Sequence, residues 1–175
     1  MNKALFLDRD GILNQIVMRN GVIGSPRCIE EFKLVPQAVI LVKAAKYLGF
    51  STILITNQPD ISRALMTRDQ LKKIHREILN QIPIDHIEVC TSTNNNYFRR
   101  KPNPGMLTQS AQKLRIELSR SFFLGDSPKD IEAGRRAGVK TILYQTDYNK
   151  KSHGVADFNC NSFDEITEIL KTQKD

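Results

Sequence analysis

Asp8 and Asp10 stand one residue apart in Phe6-Leu7-Asp8-Arg9-Asp10-Gly11, directly after the apolar run Ala4 to Leu7 and directly before a glycine. Carboxylates this close repel unless a proton or a cation sits between them. Magnesium, held by one or two carboxylates together with a substrate phosphate, would resolve that repulsion. The apolar run reads as a short buried strand, and Gly11 permits the turn that ends it. The two acids then project from the C-terminal end of a strand, where open α/β sheets bind ligands. The same segment, alone, also fits a turn in which Asp caps backbone groups.

Three later segments bear on the choice. Ile53-Leu54-Ile55-Thr56-Asn57-Gln58 is an apolar run that ends in small polar residues. Arg99-Arg100-Lys101-Pro102 is a basic cluster ahead of a helix, and Phe122-Phe123-Leu124-Gly125-Asp126 is an apolar strand ending in Gly-Asp, with Asp130 four residues on. In order, these read strand-DxDG, strand-Thr, Lys, strand-GDxxxD. The set resembles the four motifs of the haloacid dehalogenase (HAD) superfamily of phosphohydrolases, over nearly the whole chain from Leu5 to about Tyr144.

The elements that must hold these residues follow from periodicity. Short apolar strands alternate with helical stretches, which predicts βαβ units and a parallel sheet. Strands are expected at Ala4 to Leu7, Ser51 to Ile55, Ile87 to Cys90, Ser121 to Leu124 and Thr141 to Tyr144. Helices are expected at Pro36 to Tyr47, from the capping box Thr67-Arg68-Asp69-Gln70 to about Asn80, at Pro104 to Leu114 and at Pro128 to Ala137. A second capping box, Ser162-Phe163-Asp164-Glu165, opens a final helix, and the tail 171–175 is expected to fray. The implied architecture is α/β, a three-layer Rossmann-like HAD fold with a central parallel sheet. Between Thr56 and Lys101 there is room for one helix and one strand but not for a cap domain, so the site should be open and loops should set selectivity. The long segment 12–35, with Arg19, Gly21, Gly24, Pro26 and Arg27, reads as an irregular specificity loop.

Composition narrows the classes. The 175 residues fit a single domain, 1–175, with a sizeable core. There is no apolar run of membrane-spanning length and no signal-peptide pattern, so a cytoplasmic location without a membrane partner is expected. Cys28, Cys90 and Cys160 are too scattered for a disulfide framework and read as free thiols. His75, His86 and His153 lack partners at ligand spacing and read as surface or half-buried. A formal net charge of +7 favours anionic partners; no RNA-reading motif is present, and a small polyanion is preferred over nucleic acid. A monomer or weak oligomer is expected.

The resemblance implies roles that the residue chemistry allows. Asp8 is the expected nucleophile, and Asp10 the general acid and base. Residues i and i+2 of an extended chain share a side, so one carboxylate can face phosphorus and the other the leaving oxygen. Asp8, Asp126 and the Asp10 carbonyl would ligate Mg2+, with Asp130 orienting Lys101 or metal-bound water. Thr56, Asn57 and Lys101 would hold the phosphoryl group, and Gln58 and Arg100 other parts of the substrate. Arg9, Arg19, Arg27 and Arg99 are left open between surface charge, loop hydrogen bonding and substrate contact.

Within the superfamily, Leu7 to Asn14, Thr56 to Arg63 and Arg100 to Met106 resemble the D-glycero-D-manno-heptose 1,7-bisphosphate phosphatases, which remove the 7-phosphate during heptose supply for lipopolysaccharide and related polysaccharides. Histidinol-phosphate phosphatases are close relatives, and polynucleotide 3′-phosphatases share the scaffold; both stay open as alternative activities. These families usually carry a zinc loop just before Arg-Lys-Pro. Here Cys90 stands at the first ligand position, whereas Ser92, Tyr97 and Arg99 occupy the others. No zinc is therefore expected, and the loop 91–99 should be mobile or ordered by its own hydrogen bonds.

Overall fold

The computed structural model describes residues 2–150 and 156–172. Its frame is a parallel sheet of β1 (Lys3–Leu7), β4 (Phe50–Asn57), β5 (His86–Cys90), β6 (Phe122–Gly125), β7 (Lys140–Tyr144) and β8 (Phe158–Cys160), in the order β5-β4-β1-β6-β7-β8. The chain builds one half outward from β1 through β4 to β5, then crosses to β6 and builds the other half. That reversal on either side of β1 makes the C-terminal edge of β1 a topological switch point, where crossovers diverge and leave a crevice.

Both faces of the sheet are covered, as parallel strands require. Leu5 and Leu7 point to one face and pack with Phe50, Leu54, Phe122, Leu124 and Ile142 against α1 (Pro36–Tyr47), α2 (Arg68–Gln81) and α5 (Phe163–Lys171). Ala4 and Phe6 alternate to the other face, with Ile53, Ile55 and Phe123 against α3 (Gly105–Leu114) and α4 (Pro128–Ala137). The three-layer α/β architecture expected from the sequence is the one observed.

The helix starts are set by local chemistry. Thr67 and Gln70 exchange hydrogen bonds as a complete capping box, Gln70 N to Thr67 Oγ1 at 3.1 Å and Thr67 N to Gln70 Oε1 at 2.8 Å. The second expected box is only half formed. Ser162 Oγ accepts from Glu165 N at 3.2 Å, but the Glu165 carboxylate reaches back one residue further, to Asn161 N. Helix α5 runs through Lys171, so the expected fraying does not begin there; 173–175 and His153 lie outside the described residues.

Two pieces of the sheet architecture depart from the sequence reading. The segment 12–35 is not irregular: it contains an antiparallel hairpin of β2 (Val17–Arg19) and β3 (Val22–Gly24), followed by a 3-10 turn at Ile29–Glu31. Asn20 and Gly21 both adopt positive φ, 50° and 76°, the demand of a two-residue hairpin turn that Asn-Gly meets with little strain. The edge strand β8 was also not anticipated. It has three residues, too few to show a period.

Candidate active site

The motif residues converge at the switch point. Asp8 follows β1 directly, Thr56 and Asn57 end β4, and Asp126 follows β6. Lys101 arrives from the loop before α3, and Asp130 from the first turn of α4. Asp8, Asn57, Lys101, Asp126 and Asp130 line a cleft of about 650 Å³ together with Asp10, Gln58 and Arg100, and Thr56 lies buried, hydrogen-bonded to Gln58.

Lys101 is the electrostatic hub. Its Nζ lies 2.7 Å from Asp8 Oδ1, 2.6 Å from Asp130 Oδ1 and 3.1 Å from the Ile55 carbonyl. Burial pulls its pKa down, but the charges of Asp130 and Asp8 outweigh that and hold it above the ordinary lysine value. Asp130 is itself buried, and its Oδ2 accepts from Ser127 N at 3.1 Å and Ser127 Oγ at 2.5 Å. One carboxylate thus closes the N-terminus of α4 and fixes the lysine. Asn57 holds the same lysine from the other side. Its Nδ2 donates to Lys101 O at 3.0 Å and its Oδ1 accepts from Lys101 N at 3.2 Å.

Asp8, Asp126 and Asp130 each offer a carboxylate oxygen, all within 4.8 Å of one another. Burial raises the Asp8 pKa well above the usual carboxylate range; Asp130 adds to the effect and Lys101 opposes it. Asp126 is pushed up to about 7, first by burial and then by Asp130, against a hydrogen bond from Tyr148. One lysine among three buried acids leaves the group short of positive charge. Oxygen ligands with excess negative charge suit a hard divalent cation, so these residues fit Mg2+. Among the described residues the Asp8–Asp126–Asp130 group is the one grouping of three metal-binding side chains.

Asp10 faces the opposite environment. It accepts from Arg9 Nε and Nη2 at 3.1 and 3.0 Å, Asn14 Nδ2 at 3.0 Å, Ser25 Oγ at 2.8 Å and Gln58 Nε2 at 2.9 Å. Burial would raise its pKa, but the Arg9 charge and the bonds from Asn14 and Ser25 outweigh it and hold the carboxyl below its usual range. Arg9, which the sequence left open, is neither surface charge nor a cleft residue; its side chain is 0% exposed.

The remaining expected residues divide. Gln58 is fully buried and its amide bridges Asp10 and Thr56 Oγ1, the latter at 2.9 Å. Arg100 lines the cleft, yet its Nε and Nη1 also hold the loop 91–99 through Asn95 Oδ1 at 3.2 Å and Ser92 O at 2.7 Å. Asn103 Nδ2 adds bonds to Asn95 O and Tyr97 O, so the loop is ordered by hydrogen bonds. Arg99 turns away to Glu88 and Gln109, whereas Arg19 and Arg27 line the cleft. Arg27 Nε lies 2.7 Å from Asp60 Oδ2, which ties the hairpin segment to the loop after β4. The sequence reading missed Ser25, Tyr148 and Asn149. No pattern marks them, because each reaches the site from a loop distant in sequence.

A parallel α/β sheet with Asp8, Thr56, Lys101 and Asp126 gathered at its switch point defines the class. Residues 98–166 match the family model described as HAD-hydrolase-like. The chain is 38% identical over 168 residues to the D-glycero-D-manno-heptose-1,7-bisphosphate 7-phosphatase of Chlorobaculum tepidum, covering 86% of this chain and 82% of that protein. It is 31% identical to the D-glycero-beta-D-manno-heptose-1,7-bisphosphate 7-phosphatase of Haemophilus influenzae, over 99% of this chain and 100% of that one. The crystal structure of D,D-heptose 1,7-bisphosphate phosphatase from B. bronchiseptica, complexed with magnesium and phosphate, superposes with a TM-score of 0.83 at 25% identity, covering 98% and 99% of the two chains. The chain belongs to the HAD-like hydrolases, and its enzyme class within them is phosphatase. None of the helices among the described residues is long and apolar enough to cross a membrane.

Proposed function

We propose that this phosphatase removes the 7-phosphate of D-glycero-D-manno-heptose 1,7-bisphosphate with the help of Mg2+. The observation that carries the substrate is the outer cleft wall. Beyond the Asp8–Lys101 centre it presents Arg19, Arg27, Arg63, Arg100 and Lys129. A substrate with a second anionic group uses that charge; histidinol phosphate, with a cationic amine, does not. Arg19 is paired with Glu31, and Arg27 and Arg63 share Asp60, so two acids face five cations and the wall keeps a surplus of positive charge.

Asp8 attacks phosphorus, the bond to the sugar oxygen cleaves, and Asp10 delivers a proton to that oxygen. Asp10 then takes a proton from the water that hydrolyses the aspartyl phosphate. Asp10 is held as a carboxylate in the resting site, ready for this second half. The incoming phosphate's negative charge favours the protonated form needed for the first half. Lys101 stabilises the charge that spreads over the phosphoryl oxygens, and Thr56 Oγ1, oriented by Gln58, donates to one of them. Bound by Asp8, Asp126 and the Asp10 carbonyl, Mg2+ would screen the phosphate from the attacking carboxylate.

The test is the initial rate of phosphate release on both anomers of the heptose bisphosphate, histidinol phosphate and a 3′-phosphorylated oligonucleotide. One heptose anomer should exceed the rest in kcat/KM by at least about tenfold, roughly 1.4 kcal/mol in the transition state. Highest turnover on histidinol phosphate would move the assignment to that activity. Preferred turnover of the oligonucleotide, falling steeply with salt, would replace the sugar with a nucleic-acid end.

A further inference from the structure

Asp126 is gripped from two directions by the segment that follows β7. Tyr148 donates its hydroxyl proton to Asp126 Oδ2. Asn149 Nδ2 donates to the Asp126 main-chain oxygen at 2.8 Å and to Tyr144 O at 2.7 Å, while its Oδ1 accepts from Thr146 N at 2.7 Å. Asn149 is buried and pins both the end of β7 and the residue after β6. On the other side stands Gly11, where a Cβ would lie 1.9 Å from Asp126 Oδ2 and 2.5 Å from the Tyr148 oxygen. The carboxylate is therefore wedged between the DxDG backbone and the tyrosine hydroxyl. Its Oδ2 is taken, and Oδ1 accepts no hydrogen bond from the described residues.

We infer that Tyr148 and Asn149 are positioning residues for the divalent-cation site, fixing which oxygen of Asp126 is offered and where. The inference rests on the Mg2+ reading above. A carboxylate ligand whose second oxygen is held by a protein donor is pre-oriented, and loss of such a donor typically costs 10–100-fold in metal affinity. A free carboxylate would have to give up rotational freedom when the cation arrives. Tyr148 does not line the cleft, which argues against direct recognition of the sugar.

The experiment compares wild type, Tyr148→Phe and Asn149→Ala by two readouts. One is the Mg2+ concentration for half-maximal phosphate release at saturating substrate. The other needs no turnover: the rise of the thermal midpoint with MgCl2 alone, which reports binding to the folded state. For Tyr148→Phe both curves should move to roughly 10–100-fold higher Mg2+, the rate should recover when Mg2+ is raised, and KM for substrate should hold. Asn149→Ala, which keeps the carboxylate's own hydrogen bond, should move both curves the same way by less. Mg2+ curves within about twofold of wild type in folded variants, or a change confined to KM or to the metal-free midpoint, would overturn the positioning role. If wild type itself ignores Mg2+ in both readouts, the metal reading falls and takes this inference with it; a Mg2+-dependent wild type with unshifted variants removes the inference alone.

Discussion

Asp8 and Asp10 are separated by one residue and carry the same group, yet their surroundings are opposite. Asp8 sits among carboxylates, with Asp126 and Asp130 close by and Lys101 as its one cationic partner among the described residues. Asp10 sits among donors supplied by Arg9, Asn14, Ser25 and Gln58. Burial works on both, and raises the pKa of Asp8 but not of Asp10, because only Asp10 has enough neighbouring positive charge and hydrogen bonds to overcome it. Two carboxyls driven apart in this way are suited to different duties. The first carboxylate needs an added cation; the second is already neutralised by the protein.

The largest separation should come from the two amide substitutions. Asp8→Asn should lower phosphate release by at least about 10⁴-fold, as loss of a nucleophile does, while the protein in chelator stays at least as stable as wild type, since one of three crowded acids has been neutralised. Asp10→Asn should cost roughly 10²–10⁴-fold in rate. It should also cost about 3–5 kcal/mol in stability, because the fully buried Arg9 loses its counter-charge. Urea unfolding of both variants checks this; equal stabilities would mean that the two environments differ less than their geometry indicates.

A smaller effect belongs to His75, on the Asp10 side. Burial and the Arg9 charge lower its pKa from 6.5 to about 4, and its Nε2 is buried without a hydrogen-bond partner among the described residues. Above pH 6.5 the ring is neutral in both folded and unfolded chains and adds no pH dependence. As pH falls from 6.5 to 4 only the unfolded chain takes up the proton, so stability should drop, on the order of 3 kcal/mol across the window. A His75→Asn variant should lack that component when unfolding midpoints are compared at pH 7 and pH 4.5. The smallest effect is that of Ser25→Ala, which removes one donor from Asp10. A loss of about 1 kcal/mol in stability and less than tenfold in turnover is expected, by denaturant titration and initial rates; a larger loss of turnover would mean that the hairpin segment sets the catalytic acid as well as the cleft wall.

What could be read in advance followed the strands. Residues 4–7, 53–56 and 122–126 announce themselves because a buried parallel strand is an apolar run, and the polar residues at its C-terminal end have little reason to be there except to face a ligand. Lys101 and Asp130 were recognisable only jointly with those ends. The hairpin carried its own signal, Asn20-Gly21, but its strands of three residues are too short for alternation to stand out. Arg9 stayed open between surface charge, loop hydrogen bonding and substrate contact, since arginine is seldom fully buried; only the packed turn shows Asp10 drawing it inside. Tyr148 and Asn149 lie 22 and 23 residues from Asp126, and a contact made by folding a loop back leaves no trace in local sequence.

The hairpin has a further consequence, for how this enzyme can change. Its base is fastened by the Arg19–Glu31 pair and by the Ser25–Asp10 bond, while at its tip a side chain at Gly21 would meet nothing within 4 Å. Val22 and Ile23 therefore present a wall to the cleft from a hairpin that is not hydrogen-bonded into the six-stranded sheet. Changes at Val22 and Ile23 can reshape the cleft wall one at a time while Asn20 and Gly21 keep the positive-φ turn, which makes these two positions the place where descendants of the chain can diverge in selectivity while sharing one chemistry.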